Sequence, residues 1–531
     1  MQISDELDAT FSLRSARGLG ILTALIFASS SAFLLGSALG VALPAIQAGF
    51  AADLSSVQWV MNAHLLVESA LLPASGALAD IYGRRRIFLL GIVLFSLGGV
   101  LSAIVPGIPY LVAAQAGQGL GGALMIPGSL ALIQTHFRET DRGLAIGIWA
   151  GVSAATAACG PPLGGLLVAT AGWRWIFALV IVPGTLAALA TYLAVPVSRR
   201  SADRARPDWT GIALLFTGLF AGTYALIFAP ARGWTSPTIE GAAMISIAAL
   251  VVFVAWQIHA GRAGGHPMIP ARLFEQRDVI GANLLTICLY FGLSGTTTYT
   301  IFYLQQIQSF SPQAVGLALL PMIVVIAVLS GPGGLLADRY GLKHALMFGT
   351  FLAGLGMFWI AVTIFMSPVL SNDAAGFAGG RWRFYAYHYL PGLILLGVGM
   401  AGVISPVSRA ALRVAGDLTG TASGVNNAAS RIASLFAIAL PGAILTGAFL
   451  HTFAPALGAL NLAPDYIAWL LGEQHKLGAI RIPEHLDPAQ HEQVRATIAF
   501  AFHRGYVLVL AVCGALAWIS TLIAGVFIAR R

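Results

Sequence analysis

Glu68 is the residue whose type and position suggest chemistry first. Of the 21 Asp and Glu residues, it alone falls near the middle of a mainly apolar run, residues 57–79. An ionised carboxylate at the centre of a membrane costs at least about 2.5–3.5 kcal/mol, so it needs a cationic partner, a water-filled cavity or a proton. His64 lies one helical turn earlier on the same face. We take His64 and Glu68 as candidate proton-coupling residues; the alternative is a protonated, hydrogen-bonded Glu68 that only fixes helix packing.

Arg431 is a second ionic group inside an apolar run. It could balance a buried charge, bind an anionic substrate or anchor its helix near an end. Anchoring is favoured, because a long Arg side chain can reach the membrane surface.

Further polar side chains within apolar runs are candidates for lining a central cavity. Hydroxyl, amide and aromatic groups with few charges would suit an amphipathic or weakly charged organic substrate. The hydroxyls of a Thr run can instead bond back to the preceding helical turn. The candidates beside Arg431 are Asn62, Gln115, Tyr290, Thr296, Thr297, Tyr299, Asn426 and Asn427.

The composition shows which kind of structure must position these residues. Hydrophobic residues make up 58% of the 531 residues and charged residues only 9%, whereas about 25% of residues are charged in a soluble domain. Fourteen apolar runs are long enough to cross a bilayer, and each should be helical because lipid cannot satisfy backbone groups. The sequence therefore predicts an all-α polytopic membrane protein with spans near residues 19–46, 57–79, 87–105, 109–135, 143–169, 174–196, 209–229, 241–260, 279–303, 312–337, 344–367, 386–411, 420–450 and 504–528.

The Lys and Arg residues predict the orientation. The net charge of +8 does not indicate nucleic-acid binding, because the basic residues form short clusters between apolar runs. If the N-terminus is cytoplasmic, 20 of the 29 Lys and Arg residues lie on the cytoplasmic side, including those in residues 199–206 and 530–531. This asymmetry predicts a cell (inner) membrane protein with both termini cytoplasmic. The first run is too long for a signal peptide and is expected to be retained.

No cofactor or metal site is expected. The three Cys residues are far apart in the sequence, and the five His residues of the polar stretch 451–503 have no metal-ligand spacing. That stretch is predicted to be a structured external hairpin or loop.

One segment occurs twice in the same register: GALADIYGRRR from residue 76 and GLLADRYGLKH from residue 334. Each copy follows a predicted span, and parallel repeats are a transporter architecture. The carboxylate of each copy could pair with an Arg or with a facing helix end, so that the loops act as a cytoplasmic gate. The alternative is a solvated loop whose charges only set topology. The gate candidates are Gly76, Asp80, Gly83, Arg84, Arg85, Gly334, Asp338, Arg339 and Gly341.

The repeated loop resembles the loop signature of the major facilitator superfamily. A second segment, GVSAATAACGPPLGG, is similar to the glycine- and proline-rich helix 5 motif of antiporters in that superfamily; its candidate positions are Gly151, Gly160, Pro161, Gly164 and Gly165. The segments at 41–46, 173–177 and 303–321 resemble those of the fourteen-helix drug:proton antiporter family. The resemblance implies two six-helix bundles with two additional central helices, divided as residues 1–197, 198–278 and 279–531, the last including the external loop 451–503.

The chain departs from that family where the proton relay is usually found. Family members usually carry an Asp in helix 1, where this chain has Leu35, followed by an Asn, where it has Gly40. They often carry an Arg in helix 4, where this chain has Gln115. The usual assignment therefore cannot be transferred, and Glu68 with His64 remains the candidate.

Three classes of function compete. The first is a proton-coupled exporter of small amphipathic compounds by alternating access, and the second is an uncoupled facilitator or metabolite exporter of the same fold. The third, a membrane enzyme or receptor, lacks a reactive constellation, and no phosphate-binding Gly-rich loop is present. The expected partners are a small-molecule substrate, protons and the lipid bilayer, without nucleic acid. The resemblance also allows a periplasmic adaptor protein and implies function as a monomer.

Overall fold

The computed structural model describes residues 10–196, 207–265, 267–367, 380–413 and 418–529. Within these ranges the chain forms fourteen helices long and apolar enough to cross a membrane. We label them α1 to α14: Ala16–Phe50, Leu54–Tyr82, Arg84–Ile104, Ile108–His136, Glu139–Thr170, Trp173–Ala194, Trp209–Arg232, Pro237–Arg262, Arg277–Ile307, Pro312–Tyr340, Leu342–Phe365, Leu390–Ala411, Thr421–Gly458 and Pro488–Phe527. The predicted all-α fold with fourteen spans is confirmed.

Local sequence signals set several of the helix ends. The Ser15 hydroxyl accepts a hydrogen bond from the backbone N–H of Gly18 at the start of α1, and the Ser311 hydroxyl caps α10 in the same way. The Asp487 carboxylate caps α14, which then begins with a proline. Such side chains satisfy backbone donors that a helix leaves unpaired at its N-terminus.

The polar stretch 451–503 differs from the predicted loop. Helix α13 continues to Gly458, and α14 begins at Pro488 rather than near residue 504. Between them lie a short helix, Pro464–Gly472, and a 3₁₀ segment, Gln474–Ala479. The extension of α14 was missed because residues 488–503 include many polar residues, whereas the extension of α13, HTFAPALG from residue 451, is short and begins with His and Thr. The predicted domain boundary at 197/198 and the basic residues of 199–206 and 530–531 lie outside the described residues.

The helices pack as two halves that repeat the same pairings. In the first half α1 packs on α5 and α6, α4 on α2 and α3, and α3 on α6. In the second half α9 packs on α13 and α14, α12 on α10 and α11, and α11 on α14. The halves meet along two equivalent seams, α5–α10 and α2–α13. Helices α7 and α8 form a pair, and α7 also packs on α2 and α13.

The bundle has two faces at its ends, for which we use fixed names. The basic face carries residues 10–15, where the strand-like Phe11 pairs with Phe137, and the two repeated loops after α2 and α10. The opposite face carries residues 459–487.

The α5–α10 seam is tightly packed near the opposite face, and a glycine of each helix nearer the basic face borders open space. A Cβ atom on Gly165 would lie 2.9 Å from the carbonyl carbon of Pro312, and one on Gly316 would lie 2.8 Å from that of Pro161. Farther along the same helices, Gly151 and Gly331 would meet no atom within 4 Å. Two glycines therefore let the helix backbones touch at one end, where the halves are held together.

Residues 459–487 reinforce this closure. The Gln47 side chain of α1 donates to the backbone carbonyl of Lys476 at 3.1 Å and accepts from Gln306 of α9 at 2.9 Å. Leu477 is buried, and its φ of +55° lies in a region that non-glycine residues rarely adopt. The segment thus joins both halves at the opposite face.

We expect Gly165→Val to destabilise this closed contact. Overpacking a tight contact costs about 1–3 kcal/mol, and each 1.4 kcal/mol shifts a two-state balance about tenfold. Spin labels at Ala171→Cys and Asn461→Cys, with the three native cysteines replaced by alanine, should report a longer distance across the opposite face. The matched control is Gly151→Val on the same helix, which should leave the distance unchanged. Equal distances in the two variants would contradict the role of Gly165.

Candidate functional site

Glu68 lies between a histidine of its own helix and an arginine of the other half. Its carboxylate is fully buried, with Oε2 3.6 Å from His64 Nε2 and Oε1 3.3 Å from Arg431 Nε. The contact with Arg431 is an ion pair without hydrogen-bond geometry. Because Glu68 is on α2 and Arg431 on α13, the pair links the two halves in the interior of the protein. The charge-balancing alternative for Arg431 describes its contact with Glu68, and the favoured interpretation as an anchor stays a prediction.

Glycines of α4 make room for this pair. A Cβ on Gly119 would lie 3.1 Å from the backbone carbonyl carbon of His64, and one on Gly122 would lie 3.9 Å from Glu68 Cδ. Small residues let membrane helices approach closely, so α4 presses α2 and its carboxylate toward α13. Gly119 and Gly122 were not predicted, although the spacing of glycines in QGLGG is a signal for such packing.

His64, Glu68 and Arg431 lie in the wall of a central cavity of about 340 Å³. Its wall is mainly apolar and comes from both halves, including Phe33 of α1, whose ring centroid lies 6.0 Å from the Arg431 guanidinium carbon. Among the predicted residues, the ones that line it are His64, Glu68, Gln115, Pro161, Thr297 and Arg431. A largely apolar cavity with a few convergent polar groups is the usual form of a small-molecule site.

Gln115, which stands where the family often has Arg, belongs to an amide network. Its Nε2 donates to Ser102 Oγ at 3.0 Å and to Gln118 Oε1 at 2.6 Å, and Gln118 donates to the backbone of Phe95. Thr297 lines the cavity and also bonds back to the Leu293 carbonyl, at 2.9 Å. The back-bonding alternative for the Thr run therefore holds at this position.

Tyr299 lies in the interface between the halves and not in the cavity wall. It is fully buried; Gln58 donates to its hydroxyl at 2.8 Å, and both side chains donate to the Ile438 carbonyl. These bonds connect α2, α9 and α13. A Cβ on Gly442 would lie 2.8 Å from Gln58 Cδ, so a glycine is needed there. Gln58 was not predicted, and no pattern in the sequence pairs it with Tyr299.

The other cavity candidates lie elsewhere. Asn426 donates to Asn283 and Thr286 of α9, and Asn427 is exposed. Asn62 and Thr296 are fully buried, and Tyr290 is partly buried; none of the five lines the cavity. Their helices were identified from hydropathy, but the orientation of each side chain depends on packing that the sequence does not show.

The two repeated loops share a backbone but differ in their ion pairs. Gly83 and Gly341 both adopt positive φ, +97° and +87°, which glycine tolerates best. Asp80 pairs with Arg84 one turn later at 3.0 Å, whereas Asp338 pairs with Arg409 of α12. The Asp80 pair therefore lies within the first half and the Asp338 pair within the second half.

Side chains near these pairs also stay within their own half. Arg409 donates to the Gly334 carbonyl at 2.9 Å, and Arg85 donates to the Tyr192 carbonyl at 2.8 Å. Arg339 lies over the ring of Tyr340. A Cβ atom on Gly76 would meet no atom within 4 Å, so no close contact requires a glycine there. No contact of these side chains joins the two halves in the described part of the chain. The prediction that the loops form a cytoplasmic gate therefore stays a prediction.

The helix 5 motif lies at helix crossings. A Cβ on Gly160 would lie 2.9 Å from the Leu34 carbonyl oxygen of α1, and one on Gly164 would lie 2.9 Å from Ala38 Cβ. Gly165 and Pro161 face α10 as described above. The motif thus packs α5 against α1 and against the other half.

Two repeated six-helix bundles around a central cavity, with a buried ion pair between them, define a polytopic membrane transport protein. The model of the Major Facilitator Superfamily matches residues 25–438, and the chain belongs to that family.

Relatives and solved structures agree with this assignment. The chain is 32% identical over 462 residues to the multidrug resistance protein Stp of Mycobacterium tuberculosis, covering 86% of this chain and 80% of that protein. It is 29% identical to the tetracenomycin C resistance and export protein of Streptomyces glaucescens, covering 91% and 87%. A bacterial homologue of the lysosomal transporter Spinster, in an inward-facing conformation, matches with a TM-score of 0.63 and 16% identity over 98% and 99% of the two chains; this likeness concerns the fold alone.

We expect the Glu68–Arg431 pair to show strong coupling in a double-mutant cycle. Removing Arg431 leaves the fully buried Glu68 carboxylate without its cation, whereas removing the carboxylate leaves an arginine that is 30% exposed, so we expect the larger loss for Arg431→Gln. Glu68→Gln and Arg431→Gln should each lower the thermal unfolding midpoint, and the double variant should lose much less than the sum. The exposed pair Asp80–Arg84 is the control, for which Asp80→Asn and Arg84→Gln should be nearly additive, within about 0.5 kcal/mol. Additive losses at Glu68 and Arg431 would show that the pair does not stabilise the fold.

Proposed function

We propose that the protein exports small amphipathic compounds and exchanges them for protons. The relatives named as resistance and export proteins support efflux. The observation that carries the proton proposal is the placement of Glu68, buried in the cavity wall and paired across the two halves with Arg431. A carboxylate at this depth gains or loses charge only when a proton binds or leaves, and that change acts directly on the contact between the halves.

The pair supplies a physical reason for exchange. With Glu68 ionised, the pair is electrically neutral and links α2 to α13. A proton on Glu68 removes its charge, leaves Arg431 uncompensated beside the cavity and weakens the link. The cavity then carries one more positive charge, so a cationic substrate binds less well. Proton and substrate therefore occupy the site alternately, as exchange in opposite directions requires. His64, 3.6 Å from the carboxylate, is placed to pass the proton.

We place the basic face in the cytoplasm of a bacterial inner membrane, with both termini on that side. The positive-inside tendency supports this orientation. The tight contact of α5 with α10 at Gly165 and Gly316 then lies on the outer side, which supports a conformation closed to the outside. The cavity is complete within one chain, which supports function as a monomer; a periplasmic adaptor remains an implication of the resemblance.

The second candidate is an uncoupled facilitator or metabolite exporter of the same fold. Leu35 in the cavity wall and Gln115 in its amide network favour it, because the family's usual charged pair is absent at these positions. In that case Glu68 and Arg431 would serve only to join the halves.

We expect Glu68→Gln to abolish accumulation driven by a pH gradient while keeping exchange of substrate for substrate. A thermal-shift screen of amphipathic antibiotics first selects the transported compound, and its radiolabelled form is then followed in proteoliposomes. Gln cannot bind and release a proton, so the coupled flux should fall to the level without a gradient. Counterflow should persist with a raised substrate requirement, because the cavity keeps its shape while Gln, like protonated Glu68, leaves Arg431 uncompensated.

The control is Glu139→Gln, which removes an exposed carboxylate at the start of α5 and should leave coupled flux unchanged. Undiminished coupled flux in Glu68→Gln would overturn the role of Glu68. A wild-type protein whose substrate does not respond to the gradient would favour the uncoupled alternative.

A further inference from the structure

A groove of about 500 Å³ lies outside the central cavity, on the surface formed by α2, α3 and α4. Its floor and walls are leucine side chains, and its lining includes Leu90, which is 46% exposed. The other leucines are Leu71, Leu78, Leu94, Leu120 and Leu124. The groove therefore offers a deep apolar surface toward the bilayer.

One end of the groove is aromatic and cationic. Tyr82 ends α2, Arg86 lies in the first turn of α3, and Trp209 begins α7; all three are at the basic face and all are exposed. Tyr and Trp side chains at helix ends are typical of the membrane–water interface. The groove is thus apolar at bilayer depth and polar where head groups lie.

Arg86 is the cation at that end. Of the three consecutive arginines, Arg84 pairs with Asp80 and Arg85 donates to the Tyr192 carbonyl. Arg86 makes no hydrogen bond or ion pair with any residue in the described part of the chain. Its guanidinium is therefore available for an anion from outside the protein.

We propose that this groove binds one phospholipid with an anionic head group from the leaflet at the basic face. Arg86 would hold the phosphate with two parallel hydrogen bonds, as guanidinium groups do with phosphates. An anionic head group has no ammonium to repel Arg86, so its net negative charge favours it over a zwitterionic one. The acyl chain would lie along the leucines, and the Trp209 and Tyr82 rings would flank the head group at the interface. A transported compound of neutral or positive charge would not use Arg86, so charge complementarity favours the anionic lipid.

The bound lipid would lie against the part of α2 that follows Glu68. Leu71 is the last residue before the 3₁₀ turn Leu72–Ala74, and it follows Glu68 by one helical turn. On the other side of the groove, Leu120 and Leu124 flank Gly122, which packs on Glu68. A lipid in this groove therefore supports the segment of α2 that holds the buried carboxylate, whether or not the protein couples to protons.

The test uses the full chain in nanodiscs of phosphatidylcholine with increasing phosphatidylglycerol, and native mass spectrometry of the lipid that stays bound. We expect wild type to prefer phosphatidylglycerol over phosphatidylcholine about fivefold, the effect of about one cationic side chain near an anionic surface. Arg86→Gln should abolish the preference and Arg86→Lys should keep most of it. Arg138→Gln, which removes an exposed arginine of the same face away from the groove, is the matched control and should keep it entirely. Leu90→Trp should fill the groove and reduce retention of both lipids.

Three results would overturn the proposal: equal retention of the two lipids by wild type, the same preference in Arg86→Gln as in Arg138→Gln, or undiminished retention in Leu90→Trp. Displacement of phosphatidylglycerol by the transported compound would assign the groove to the substrate instead. Unfolding midpoints in phosphatidylcholine alone separate loss of lipid binding from loss of the fold.

Discussion

An ion pair that joins the two halves through a buried carboxylate is the constraint on which the rest of the structure depends. Glu68 is fully buried within the bundle, and the Arg431 side chain, 30% exposed, lines the central cavity beside it. Each compensates the other only while α2 and α13 stay in contact. Any rearrangement that parts these helices must therefore supply a proton, a substrate group or water to the separated charges.

Close helix packing is what keeps this pair in place. Gly119 and Gly122 bring α4 onto α2, and Gly442 leaves room for the Gln58–Tyr299 contact that joins α2, α9 and α13. On the second seam, Gly165 and Gly316 let α5 and α10 touch at the opposite face. Lipid gives no hydrophobic driving force for helix association, so van der Waals contact and internal hydrogen bonds hold the halves. Such close contacts between helices explain why the chain contains many glycines, 61 in all.

The sequence predicts the fold well and the site in part. Apolar runs separated by basic clusters identify all fourteen helices, because a membrane leaves the backbone little choice but a helix. The burial of Glu68 and its proximity to His64 were predicted because burial and the helical period can both be read locally. The partner Arg431 was identified as ionic but not as the partner, since the contact joins distant helices. Tyr299 and Asn427 were misplaced for a related reason: the rotation of a helix about its axis depends on its neighbours. The extension of α14 was missed because a helix that leaves the bilayer no longer needs apolar residues.

Helix α7 has a consequence for the symmetry of the molecule. It packs on both α2 and α13 and so covers one of the two seams, while in the described part of the chain no helix has the same position on the α5–α10 seam. The two halves are therefore alike in their internal packing, but the two seams between them are covered differently. Seen along the bilayer normal, the side with the α5–α10 seam differs from the side that α7 covers. A compound dissolved among the lipids meets a bare seam from one direction and a wall of helix from the other.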